Sequence, residues 1–143
     1  MARTHRVVAA AALAALAVSL LAGCEGRPPR QPKINWKPAT LETLKSAGLS
    51  PVMIVLTDGT EKQDRLVGTL LAHEPVEQAA RGFVCMKTSI NKADDPLVKQ
   101  VQEWYKIDQT PALVFVRSDG IPGGLIKGGR TPAELVTQMM QVR

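Results

Sequence analysis

Cysteine occurs only twice in the 143 residues, at Cys24 and Cys85. No Cys-x-x-Cys pair exists, which removes the usual dithiol route to disulfide exchange, since that route needs an attacking thiolate and a resolving partner. Histidine is as scarce: after His5 only His73 remains, and one imidazole beside Glu74 gives no metal-ligand spacing. Asp94-Asp95 has too few oxygen ligands for a calcium loop. The five aromatic residues (Trp36, Phe83, Trp104, Tyr105 and Phe115) interleave with no basic block, so nucleic acid is not an expected partner. Gly-x-Ser-x-Gly is absent, and neither Gly123-Gly124 nor Gly128-Gly129 leads into a Lys-Ser or Lys-Thr. From these absences no catalytic residue, no metal and no cofactor is expected. The N-terminal apolar run, Val7 to Leu21, has 15 residues, short of the roughly 20 that a membrane-spanning helix needs.

That run follows Arg3, His5 and Arg6 and ends in Leu21-Ala22-Gly23-Cys24, the layout of a targeting segment. It resembles the signal peptide and lipobox of bacterial lipoproteins. The resemblance implies cleavage after residue 23, a thioether-linked diacylglycerol on Cys24, an added acyl chain such as palmitate on the new amine, and a bilayer as partner. It also implies a bacterial cell envelope location. Glu25 stands where some Gram-negative lipoproteins carry a retaining aspartate, so the expectation is the outer membrane, facing the periplasm, rather than the inner membrane.

Loss of residues 1–23 leaves 120 residues with 16 Lys and Arg against 13 Asp and Glu, a net charge of +3, and a length suited to one domain. Within residues 24–38, Pro28, Pro29, Pro32 and Pro38 disfavour helix, and Arg27, Arg30, Lys33 and Lys37 favour solvation. A flexible linker is expected there, its 14 residues after Cys24 reaching roughly 20 Å as a coil and about 40 Å as polyproline.

From residue 39 onward, helical and strand patterns alternate, which predicts an α/β domain. Thr40 caps a short helix carrying Leu41, Leu44 and Ala47, stopped by Gly48. Val52 to Leu56 is uninterruptedly apolar, as a strand covered on both faces should be. After the turn Thr57-Asp58-Gly59-Thr60, Leu66, Val67, Leu70 and Leu71 recur at helical spacing until His73-Glu74-Pro75 bends the segment. A second strand is read over 83–88, and Asp95-Pro96 opens a helix with Leu97, Val101 and Trp104 facing inward. Ala112 to Val116 is a third strand, Ser118-Asp119-Gly120 a hairpin turn and Gly124 to Lys127 a short return. Thr131-Pro132-Ala133-Glu134 starts the last helix with a capping box, and Leu135, Val136, Met139 and Met140 are expected to face the core.

This order resembles the thioredoxin family over about residues 36–142, most specifically at Thr110-Pro111, directly before a strand, an Asp119-Gly120 turn, a short edge strand and a closing helix. The resemblance implies a thioredoxin-like three-layer fold, a central mixed sheet flanked by helices, and a cis peptide bond at Pro111. Redox members carry Cys-x-x-Cys at the start of the helix after the first core strand, where residues 57–63 here hold no cysteine. What the likeness then implies is a redox-inactive domain that binds a protein or peptide of the envelope through Thr57, Asp58, Gly59, Thr60, Thr110 and Pro111. The alternative is a single-cysteine thiol-redox protein using Cys85. Its apolar neighbours in Phe83-Val84-Cys85-Met86 favour a buried thiol instead, while Lys87 would share its strand face.

Overall fold

The two uninterrupted apolar runs form the middle of a four-stranded sheet in the computed structural model, which describes residues 30–143. The targeting segment and Cys24 lie outside the described residues. Strand β1 (Val52–Thr57) pairs in parallel with β2 (Val84–Ser89) on one side and antiparallel with β3 (Ala112–Val116) on the other. Strand β4 (Pro122–Lys127) closes the order β2-β1-β3-β4 by antiparallel pairing with β3. Every residue of β1 and β3 is buried, as the absence of polar alternation requires.

Alternate side chains leave the sheet toward two separate cores. Met53, Val55, Cys85, Leu113 and Phe115 meet α2 (Glu61–Leu71), α3 (Glu74–Ala80) and α5 (Pro132–Val142) through Val67, Leu71, Val76, Leu135 and Met139. Ile54, Leu56, Met86, Ala112 and Val114 meet α4 (Pro96–Tyr105) through Leu97 and Val101, with Leu44 of α1 (Leu41–Lys45) at the margin. Helix, sheet and helix give three layers. Phe83 packs edge-on against Phe115, ring centroids 6.0 Å apart, within the preferred range for such pairs.

The helix starts are built by local chemistry. Thr40, Thr60, Asp95 and Thr131 each accept a hydrogen bond from an orphan amide of the first turn, a contribution of about 1 kcal/mol apiece. At Thr131 the box is reciprocal: its hydroxyl accepts from Glu134 N–H at 3.2 Å and its own N–H donates to Glu134 Oε2 at 2.9 Å. That donor, first among the causes, holds the Glu134 carboxyl below its ordinary value.

Two helix positions depart from the expected packing face. Met140 is 67% and Leu66 is 55% exposed. Each sits one residue from a buried neighbour, Met139 or Val67, and one residue is about 100° of rotation around a helix. Residues 30–38 also differ from a wholly solvated segment. Ile34 and Trp36 pack on the α2/α3/α5 core, Trp36 bridges Cys85 in parallel, and Lys37 N–H donates to Cys85 O at 2.8 Å. Arg30 donates to Ala72 O at 2.6 Å and to the buried Glu77 at 2.9 Å. Exposed and partly buried residues alternate from Gln31 to Lys37, the period of an extended chain with one face covered.

Candidate functional site

The C-terminal end of β1 and the N-terminal end of β3 lie side by side because those strands are antiparallel neighbours, Leu56 opposite Ala112. The chain leaves β1 through Asp58 and Gly59, whose φ of +81° favours glycine. A side chain there would also press on Ser89 Oγ, 3.3 Å from a built Cβ. Asp58 Oδ1 accepts from Thr60 N–H at 2.8 Å and from Thr60 Oγ1 at 2.5 Å. The Thr60 hydroxyl contact, followed by the Thr60 amide, holds the Asp58 carboxyl below its ordinary value. Asn91 Nδ2 donates to Asp58 O at 2.7 Å from the loop after β2, so the turn is braced from two sides.

Across from it the peptide bond between Thr110 and Pro111 is cis. One side chain joins the two segments. Gln63 Oε1 accepts from Asp58 N–H at 2.8 Å, while its Nε2 donates to Thr110 O and to Thr110 Oγ1, each at 3.0 Å. The six candidate residues (Thr57, Asp58, Gly59, Thr60, Thr110 and Pro111) thus fall into one neighbourhood, and Gln63, outside that set, ties it together. A signal for it exists in the sequence. Thr60-x-x-Gln63 has the capping-box pattern, in which the glutamine should return to the threonine N–H. Here the Thr60 N–H is taken by Asp58, and Gln63, freed, reaches Thr110.

Thr60 and Gln63 also have the three-residue spacing of a Cys-x-x-Cys pair at a helix start. Both are hydrogen-bonding polar groups, and neither ionises to a nucleophile near neutral pH.

Cys85 is remote from this chemistry. It is 1% exposed in the core between the sheet and α3, its thiol 3.7 Å from both Ala80 O and Phe83 O. Burial pushes the thiol pKa up to about 12. Lys87 does leave the same strand face, but its Nζ is 3.6 Å from Asp64 Oδ1 and 5.8 Å from the centroid of the Trp36 ring. His73 is an exposed residue at the start of α3, with no side-chain capping bond. Among the described residues no cluster of three or more His, Cys, Asp or Glu is placed to hold a metal ion. Asp95, a ligand candidate on paper, caps α4 by accepting from Leu97 N–H at 2.8 Å.

From Pro111 a groove with a cavity volume of about 720 Å³ runs along α2. Its floor is apolar, made by Leu66, Leu70, Leu113, Pro111 and Pro132. The opposite wall is the turn between β4 and α5, where Gly129 has nothing within 4 Å of a built Cβ.

No protein-family model matches the chain, and no curated protein matches it in sequence. Solved structures do match. A thioredoxin from Thermus thermophilus is 24% identical over 76% of this chain and 86% of its own, with a TM-score of 0.59. The C-terminal domain of Neisseria meningitidis DsbD in its reduced form is 20% identical over 75% of this chain and all (100%) of its own, with a TM-score of 0.56. A disulphide isomerase from Xylella fastidiosa is 16% identical over 99% of this chain and 98% of its own, with a TM-score of 0.50. At these identities the likeness carries the fold and nothing finer. The described chain has a thioredoxin-like fold, with Thr60 and Gln63 at the start of its second helix and Cys85 in its core.

Proposed function

We propose that this chain is an envelope lipoprotein, anchored by an acylated Cys24, whose thioredoxin-like domain binds an extended segment of a protein or peptide and does not exchange disulfides. The observation that carries the reading is the Gln63 amide, which bridges Asp58 and Thr110 at the helix start and leaves an apolar-floored groove beside Pro111. A scaffold that keeps the groove without a nucleophile has binding as its remaining chemistry. The competing reading, a redox role for Cys85, requires a thiolate, and a thiol at 1% exposure with a pKa near 12 supplies almost none at neutral pH.

The test uses full-length protein in non-ionic detergent. Turnover in a dithiol-dependent disulfide-reduction assay is expected to be nil, and Cys85 is expected to label only after denaturation. Amide NMR with extended model peptides is expected to shift residues 57–63, 110, 112–113 and 128–131, and Pro111→Ala is expected to weaken those shifts while the domain stays folded. Turnover abolished by Cys85→Ala would reverse the assignment.

A further inference from the structure

The groove beside Pro111 is unevenly charged. Its rim holds Lys62, Arg65 and Arg130 against one lining carboxylate, Glu61, and that carboxylate is already ion-paired with Arg65. Lys62 and Arg130 make no ion pair among the described residues. Asp58 and Glu134 act on them only through space, without an ion-pair contact, and accept hydrogen bonds from Thr60 and from the Thr131 N–H. The groove on the other side of α2 offers a contrast. There Lys87 is paired with Asp64, and Arg30 with Glu77, so its cations are neutralised within the fold.

Placement adds to the charge. Lys62 stands on α2 and Arg130 on the opposing turn, with the 55% exposed Leu66 and the half-buried Leu70 on the floor. A bilayer surface presents its charge in a plane, whereas these two cations stand on separate elements, α2 and the β4–α5 turn, that line one largely apolar groove. Helix α2, Glu61–Leu71, which lines it, is about 16 Å long at 1.5 Å per residue, the span of about five residues of extended chain. The open space above Gly129 lets a backbone approach that wall.

We infer that the occupant of this groove is an acidic extended peptide segment, with carboxylates at Lys62 and Arg130 and an apolar side chain between them on Leu66 and Leu70. The inference rests on the peptide-binding reading above and names the class of peptide. Opposite charge at the rim of a binding surface gives selectivity and on-rate, and both fall as salt screens them.

The test is a fluorescence-anisotropy titration of the full-length protein in non-ionic detergent with three short labelled peptides, in which leucine alternates with Glu, Gln or Lys. Amide NMR locates the contact. The Glu peptide is expected to bind at least about tenfold more tightly than the Gln peptide, a difference of about 1.4 kcal/mol. That advantage is expected to disappear as salt rises from about 0.01 to about 1 M, where the screening length drops from about 30 to about 3 Å. Lys62→Glu combined with Arg130→Glu, both exposed positions, is expected to invert the preference toward the Lys peptide. Equal binding of the Glu and Gln peptides at the groove amides overturns the acidic preference and leaves peptide binding standing. If none of the three shifts the amides of residues 62–70, 112 or 128–131, peptide binding itself fails and this inference with it. Anionic phospholipid vesicles shifting those amides where the Glu peptide does not would assign the groove to a membrane surface and overturn the inference.

Discussion

Gln63 makes three hydrogen bonds with one amide, and two of them reach Thr110, 47 residues further along the chain. Its removal in Gln63→Ala is expected to lower stability by about 1.5–4.5 kcal/mol, because three bonds are lost and each contributes roughly 0.5–1.5 kcal/mol. Gln63→Glu keeps the acceptor for Asp58 N–H but loses the donors to Thr110. Its deficit should shrink on acidification, since a protonated carboxyl can donate again. Urea unfolding at neutral pH and near pH 4 checks both, and a pH-independent deficit would remove the donor argument. Cys85 gives a second residue-scale outcome. Its pKa rises from an ordinary 9.0 to about 12 on folding, so between those values the unfolded chain has lost a proton that the folded chain keeps. The stability is therefore complete below about pH 9 and is lost as pH climbs toward 12, at up to about 1.4 kcal/mol per unit. Denaturation midpoints from pH 8 to 11 should fall more steeply for the natural protein than for Cys85→Ala, which lacks the titrating group.

The strap of residues 30–38 is the element whose behaviour its composition conceals. Its prolines and cations read as a solvated tether, yet Ile34 and Trp36 alternate into the core and Arg30 reaches Glu77. Trp36→Ala removes the ring that packs on that core and lies under Lys87. About 2 kcal/mol of burial goes with it, which opens the strap without dismantling the sheet. Trypsin cleavage after Lys33 should then accelerate by at least about tenfold while the core transition is retained, and an unchanged cleavage rate would show that the ring does not hold the strap. This contrast marks what a sequence discloses. The strands of β1 and β3, the Asp95-Pro96 start and the Thr131 box are decided within a few residues, and they were legible. The same holds for Thr110-Pro111, where the cis bond expected from the family resemblance is present. The strap and the Gln63 bridge depend on which distant groups the fold brings near, so the apolar pair in the strap and the capping pattern at Thr60 each had more than one possible partner. Met140 failed for a different reason: an apolar residue beside a core position looks the same in sequence whether the helix turns it in or out.

At the scale of the whole molecule, docking of the strap would shorten the tether of a domain anchored through Cys24. Five residues, 25–29, separate Cys24 from Arg30. Chain geometry limits that gap to about 20 Å between the two Cα atoms, against about 40 Å if all 14 residues from Glu25 to Pro38 were drawn out. If Cys24 is acylated, the domain is held close to the headgroups, and the strap, rather than the linker length alone, sets the distance. Two measurements separate anchor from strap. Cys24→Ser should abolish incorporation of a palmitate analogue and move the protein from the membrane to the soluble fraction; membrane retention without the acyl label would sink the anchor. On anchored protein, a dye placed through Leu49→Cys, at a position 92% exposed, can be attached selectively because Cys85 is buried. Energy transfer from that dye to a membrane acceptor should fall when Trp36→Ala frees the strap, as up to nine more residues become tether at about 3 Å each. Transfer that stays constant would mean that the domain is held at the surface by contacts of its own, and the strap would then be a structural edge of the sheet with no part in setting reach.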